Sequence, residues 1–325
     1  MLELSRLSLI LAGSAAAAQY ALRGPAGAQT GPAGAPTIMK LRVAAVPIDI
    51  SGTVFYAQAL GYFKKHNLDV ELVVMANGPA TAAAVIGGSL DFGTAAVVTL
   101  ANARERGIPF VLVAPSGAYS SKQPTGSLLA LQTAPIHTAK DLVGKTVAVT
   151  SLKGVSEMAM WAYLDKNGLA QDAVKFVEMP YADMGGALAT GRVDAVVAEE
   201  PTQSALLANG ARVVANVNDA IGDTWLGGGW FCLQDYVNTH TDAVRRFADA
   251  IAETADWANK NHDASAKILE SYSKQPISPN QKRAYYPERV DPALLQPLID
   301  CSAKYGLIKA SFPAKEVIAA QVLTR

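Results

Sequence analysis

Cysteine is scarce in this chain. There are two, Cys232 and Cys301, and neither belongs to a Cys-x-x-Cys pair, which excludes a zinc ribbon or a thioredoxin-like redox motif. Two buried free thiols are the expected state. Histidine is equally sparse: His66, His137, His240 and His262 stand far apart, without the spacing of a metalloprotease helix. Neither sign of charge dominates. The 28 Lys and Arg balance 28 Asp and Glu and are scattered, so no basic stripe is present for nucleic acid or an anionic membrane surface. Gly-x-Ser-x-Gly and Gly-x-Gly-x-x-Gly do not occur. Gly144-Lys145-Thr146 matches the end of a phosphate-binding loop, but Ala139 stands where the first glycine belongs, and a strand follows instead of a helix. The cysteines have no evident histidine partner for nucleophilic catalysis. Neither metal nor cofactor is expected.

What is present is apolar and alternating. Half of the 325 residues are hydrophobic, enough for one large domain or two lobes with their own cores. Residues 1–28 read as an export signal. Arg6 supplies positive charge, 7–18 is an apolar run, and Ala26-Gly27-Ala28 is a small-x-small cleavage site. The run is too short to span a bilayer comfortably. Residues 29–38 read as a flexible tether. With no cysteine near the cut, no lipid anchor is expected.

Predicted strands at 41–46, 68–74, 90–93 and 110–114 alternate with helices at 54–66, 80–86 and 95–106, which implies a parallel, doubly wound sheet. In such sheets ligands sit beyond the carboxyl ends of strands, where the loops 47–53, 93–96 and 115–121 converge. A second α/β unit follows, with strands at 127–132, 147–149, 174–179 and 195–198. Its turn 150–154 joins a buried strand to a helix that ends at Gly168. That turn gathers Ser151, Lys153 and the unpaired N–H groups of a helix start, a ready place for an anion or another acceptor. Gly88-Ser-Leu-Asp91 and Gly191-Arg-Val-Asp194 occupy the same place in the two units. In each, the glycine ends a helix and the aspartate takes turn N–H groups before a strand. Gly227-Gly228-Gly229 fits a hinge or a tight turn. A long helix over 239–260, capped by Thr239 or Thr241, carries an apolar face through Val244, Phe247, Ala248, Ile251 and Trp257. The adjacent acids Glu199 and Glu200 end a strand, so one is expected to face the cleft and the other water.

Five segments carry a resemblance when taken in order: AQALGYFKKHNLDVELV (57–73), GGSLDFGTAA (87–96), KDLVGKTVAV (140–149), GRVDAVVAEEP (191–201) and DAVRRFADAIAETADW (242–257). Together they resemble the periplasmic solute-binding proteins of ABC importers, in the nitrate/sulfonate/taurine and NMT1/THI5-like group. The resemblance implies an α/β fold of periplasmic binding protein type II, with two doubly wound lobes joined by two crossing strands. Lobe 1 would take 39–122 and 228–325, and lobe 2 would take 123–227. It implies a monomer in the periplasm that binds a small solute of the sulfonate, taurine, nitrate or aromatic or heterocyclic acid type between the lobes. The solute would pass to a permease and its ATPase in the inner membrane, with no catalysis, cofactor or metal. Carried over to this chain, the ligand contacts are Ser51 and Gly52 in the first loop, then Thr94 and Ala95. Ser116 and Tyr119 follow, with Tyr119 stacking on a flat ligand, and then Ser151, Lys153, Gly154 and Val155. Glu200, the acid before Pro201, would meet an amine. The cysteine-rich motif of the thiamine-precursor enzymes is absent. An enzyme of the same fold acting on a pyrimidine or related metabolite is the alternative.

Overall fold

The computed structural model describes residues 37–277 and 281–323. The expected signal at 1–28, and all of the tether up to residue 36, lie outside the described residues. The chain begins with strands β1 (Met39–Ala45), β2 (Leu68–Val74), β3 (Phe92–Ala96) and β4 (Phe110–Pro115). β1 pairs in parallel with both β2 and β3. A short strand, β5 (Ala118–Ser120), then leaves this sheet. Strands β6 (Gly126–Leu131), β7 (Thr146–Val149), β8 (Lys175–Glu178), β9 (Ala195–Glu199) and β10 (Ala211–Ala215) form a second sheet, in the order β10-β6-β9-β7-β8. The chain returns through β11 (Thr224–Leu226), antiparallel to β5. It then enters β12 (Gly228–Leu233), which completes the first sheet as β2-β1-β3-β12-β4.

The four strands expected to be parallel, β1 to β4, run the same way, but each sheet also carries one antiparallel strand. β12 runs antiparallel to β3 and β4, and β6 antiparallel to β9. Each is the first strand laid down after the chain crosses from the other sheet. It therefore enters from the crossing side and runs against its neighbours. The glycine triplet is corrected too. Gly228 and Gly229 lie inside β12, not in a hinge. A Cβ on Gly228 would stand 2.0 Å from the Ala95 carbonyl oxygen, and one on Gly229 would stand 2.4 Å from that of Ala114. Glycine is required there because two backbones press against the strand.

The internal echo is a repeated device. Asp91 accepts the N–H of Arg42 on β1 at 2.7 Å, and Asp194 accepts that of Thr146 on β7 at 2.8 Å. The helices before them end at Gly88 and Gly191, whose φ values are +70° and +69°. Each aspartate thus ties a helix end to the edge of its parallel strand. The long helix, Thr241–Lys260, buries Val244, Phe247, Ile251 and Ala255 at helical spacing. Phe247 stacks on Phe92 at 4.5 Å between ring centres. Its expected threonine cap is replaced. The hydroxyls of Thr239 and Thr241 bond back to Asp235 and Val237 of the preceding helix, and His240 occupies the cap position. Both cysteines are free thiols, with Cys232 buried and Cys301 half-buried. Among the described residues no helix is long and apolar enough to cross a membrane.

Candidate ligand-binding cleft

The carboxyl ends of β1, β2, β3, β4, β7, β8 and β9 open onto one space between the two sheets. It encloses about 780 Å³ including its mouth. The first sheet contributes Ile48, Ile50 and Ser51 after β1, Asn77, Gly78 and Pro79 after β2, Thr94, Ala95 and Ala96 from β3, and Ser116 after β4. The second contributes Thr150, Ser151, Gly154, Val155 and Ser156 after β7, Tyr181 after β8 and Glu199 at the end of β9. Trp225 and Gly227, from the crossing segment, close the back. A second cavity of about 710 Å³ adjoins it across Val46, Ile48, Ala76 and Tyr181.

Four helices start at this space: Gly78–Ile86, Val97–Glu105, Val155–Lys166 and Tyr181–Ala189. Their positive ends converge on it, which favours a negative or acceptor group. Val155–Lys166, like Val97–Glu105 and Tyr181–Ala189, has no side-chain cap. Its cap residue is Gly154, with no side chain to satisfy the first N–H groups. Three of the turn's donors are occupied: Leu152 N–H donates to Glu178, Lys153 N–H to Glu157 and Gly154 N–H to the Ser151 carbonyl. The N–H groups of Val155 and Ser156 have no protein acceptor among the described residues. The hydroxyls of Ser51, Thr94, Ser116, Ser151 and Ser156 add to this. Each belongs to a buried residue on the lining, and none makes a hydrogen bond among the described residues. A hydroxyl donates or accepts as its partner requires. The site is therefore rich in adaptable hydrogen-bonding groups, and its lining has no Lys, Arg or His.

Of the eleven residues expected from the sequence, the structure brings Ser51, Thr94, Ala95, Ser116, Ser151, Gly154 and Val155 together on this lining. Gly52, Tyr119, Lys153 and Glu200 are not on it, and each has a physical reason. Gly52 makes room for Tyr56: a Cβ there would stand 2.3 Å from the Tyr56 hydroxyl. Tyr119 is only 3% exposed, stacks on Trp225 at 5.0 Å and donates its hydroxyl to Asp219. It supports the wall from behind and does not meet the cleft. Lys153 has φ +56° and an exposed side chain, so it turns the chain and points to water. Glu200 is turned toward the next helix. One of its oxygens accepts from the Ser204 N–H, and the other from the Ser204 hydroxyl and the Gln203 amide.

The acid at the cleft is Glu199. Alternation along the strand end correctly separates the two side chains, but neither is solvated: Glu199 is 8% exposed and Glu200 2%. Asn77, Tyr181 and Trp225 were also not singled out from sequence. Asn77 carried a readable signal, because Asn-Gly-Pro before an apolar run marks a capped helix start, and its side chain accepts the Ala80 N–H at 2.9 Å. Trp225 and Tyr181 carried none, since an aromatic residue at a strand end or helix start is common in cores.

Burial pushes the Glu199 carboxyl up to about 7, opposed by the Asn218 amide and reinforced by Glu200 and Asp49. Burial pushes Glu200 up to about 7 as well, against the bonds from Ser204 and Gln203. Between the ordinary value of 4.5 and about 7 the folded protein holds protons that the unfolded chain has released. Their stabilising contribution is full below 4.5 and is lost as pH rises through about 7. The ligand-free protein is expected to be less stable at about pH 8 than at about pH 5, by about 5 kcal/mol from the two groups together. Urea titration at the two pH values checks this, and equal or greater stability at the higher pH contradicts it.

Two mixed sheets joined by an antiparallel ribbon, with the loops of both facing one cleft, define the two-lobed periplasmic binding protein fold of type II. The alkanesulfonate-binding protein SsuA from Xanthomonas axonopodis pv. citri, solved with bound MOPS, matches it with a TM-score of 0.73 at 19% identity, covering 88% of this chain and 99% of its own. The periplasmic nitrate-binding protein NrtA from Synechocystis PCC 6803 matches with a TM-score of 0.71 at 15% identity, covering 89% and 88%. A chain of Brucella abortus (strain 2308), described provisionally as a binding protein, is 25% identical over 224 residues. That alignment covers 67% of this chain and 66% of the relative, just under two-thirds of its length. The profile described as NMT1/THI5 like matches residues 51–265, and the chain belongs to that family.

Proposed function

We propose that this protein is the extracytoplasmic solute-binding component of an ABC importer. It takes up a small organic solute in the cleft, acts as a monomer in the periplasm, and delivers the solute to a membrane permease driven by its ATPase. One observation carries this reading: four helix N-termini and five unpaired hydroxyls face a single space between two sheets. Such a lining recognises an acid or acceptor end by hydrogen bonds and helix dipoles. Ser51, Thr94, Ala95 and Ser116 hold it from one lobe, and Ser151, Gly154 and Val155 from the other. Trp225 and the apolar residues Ile48 and Ile50 take the carbon skeleton. Contacts from both sides make binding favour the closed arrangement, which the permease reads.

A thermal-shift screen against sulfonates, nitrate, aromatic carboxylates and pyrimidines tests this. A binder raises the melting temperature with the logarithm of its concentration. At a concentration about a hundred times its Kd it adds about 2.7 kcal/mol. A screen in which nothing stabilises the protein contradicts the reading. Consumption of a hit by the protein alone favours the enzyme alternative.

A further inference from the structure

Trp225 closes the back of the cleft, yet its place is set from outside the cleft. It stands on β11 directly opposite Tyr119 on β5. The two rings stack with centres 5.0 Å apart and planes 24° apart. Gly227, also on the lining, puts no side chain against the indole: a Cβ there would stand 3.1 Å from Trp225 Cζ3. Both rings are held by one short turn, Val217–Ala220. The Trp225 indole N–H donates to the Asn218 carbonyl at 3.3 Å, and the Tyr119 hydroxyl donates to Asp219 Oδ1 at 2.5 Å. Burial, the bond to Asp219 and the charges of Glu199 and Asp223 hold the Tyr119 phenol well above its ordinary value, so it stays a donor. The turn is itself anchored. Val217 lies in the core of the second sheet, the Ser127 hydroxyl donates to Asn216 Oδ1 at 2.8 Å, and Lys166 Nζ donates to the Asp219 carbonyl at 3.2 Å. Neither Tyr119 nor Asp219 lines the cleft or the cavity that adjoins it.

We propose that Asp219 is a positioning residue for the solute site: acting through Tyr119, it fixes the plane of the Trp225 indole and so the shape of the wall that receives the solute's carbon skeleton. This rests on the solute-binding reading and deepens it. Aromatic pairs accept several offset and edge-to-face arrangements, so stacking alone leaves the tyrosine ring free to slide. A charge-assisted bond at the far end of that ring is directional and removes this freedom. The indole N–H is held by the preceding residue of the same turn, so both rings share one reference. Loss of the Asp219 carboxylate leaves a buried phenol without its acceptor, and the pair re-packs at the back of the cleft.

The test reads the indole directly. The protein is made with 5-fluorotryptophan, and the fluorine resonance of Trp225 is assigned among those of Trp161, Trp230 and Trp257 by its loss in Trp225→Phe. Asp219→Ala is expected to move or broaden the Trp225 resonance and to leave the other three in place. Asp219→Asn, which keeps an acceptor oxygen, is expected to retain the wild-type spectrum. Kd for benzenesulfonate, benzoate and pyrimidine is measured by calorimetry on the same proteins. Each probe that the wild type binds is expected to bind Asp219→Ala about tenfold less tightly and Asp219→Asn within about twofold. An unmoved Trp225 resonance in Asp219→Ala overturns the proposal, as does an affinity that this variant leaves unchanged. Movement of all four resonances alike shows a general loosening and overturns it as well. Should none of the three probes bind the wild type, the solute-binding reading loses its ring-bearing candidates, while the spectra still support or overturn the positioning of Trp225. If Asp219→Ala does not fold, Tyr119→Phe takes its place: it keeps the ring and removes the hydroxyl, and a Trp225 resonance that stays where it is overturns the proposal.

Discussion

Replacing Arg283 with leucine is expected to destabilise the protein by about 3–5 kcal/mol, among the largest losses a single substitution here can produce. Arg283 is 6% exposed and Asp49 is 1% exposed. Their pair is held by Nε at 2.7 Å and Nη2 at 2.6 Å, both to Asp49 Oδ1. The other guanidinium contacts run to the Tyr56 hydroxyl at 2.7 Å and the His262 carbonyl at 2.8 Å. Removing the cation leaves the Asp49 carboxylate buried, with the Ala284 N–H and the Tyr286 hydroxyl but no counter-charge. That uncompensated charge, more than the lost attraction, sets the cost. The loop also borders the proposed binding cleft. Ile48, Ile50 and Ser51 flank Asp49 and line the cleft, and the Asp49 N–H donates to the Glu200 carbonyl across the two sheets at 3.0 Å. Affinity for any solute should therefore fall along with stability. Urea unfolding measures the first effect. An unchanged slope with a loss under about 1 kcal/mol would show that the pair contributes little.

Gly154→Leu is expected to weaken solute binding by at least about a hundredfold, while costing the ligand-free fold only about 1–2 kcal/mol. Gly154 sits in extended backbone, φ −95° and ψ −177°, a conformation open to any residue, so backbone strain is not the issue. The obstacle is space. A Cβ would stand 2.1 Å from the Ser151 Oγ and 2.9 Å from the Ser151 carbonyl oxygen. Even a methyl group displaces the Ser151 hydroxyl, and a leucine side chain also covers the N–H groups of Val155 and Ser156. Titration calorimetry with a stabilising solute separates the two effects. Retained affinity in Gly154→Leu, with the melting temperature near that of the wild type, would remove this turn from the site.

The fold was legible because its signals are local and repeated. Strand and helix alternate with short connections, and each Gly-x-x-Asp element closes one unit in the same way, through Asp91 and Asp194. The direction of β6 and β12 was not legible. It depends on where the chain crosses between sheets, and the pattern of a fully buried strand reads the same in either direction. In the cleft, placement that depends on the backbone was legible: Ser51, Thr94, Ser151 and Gly154 reach the lining from where strands end and helices begin. Positions that depend on side-chain direction were not. Glu199 and Glu200 are one residue apart, and which one meets the cleft is decided by the Ser204 and Gln203 donors on the following helix. Tyr119 fails for the same reason, since its ring faces Trp225 and leaves Trp225 to form the wall.

A crystal structure of the protein with the solute that stabilises it most tests the central claim directly. The predicted density lies between the two sheets, with an acceptor or acid group at the N–H groups of Val155 and Ser156 and within hydrogen-bond reach of Ser51, Thr94 or Ser151. Density confined to another cavity, such as that lined by Val113, Ala248, Arg289 and Val322, with the cleft empty, would contradict it.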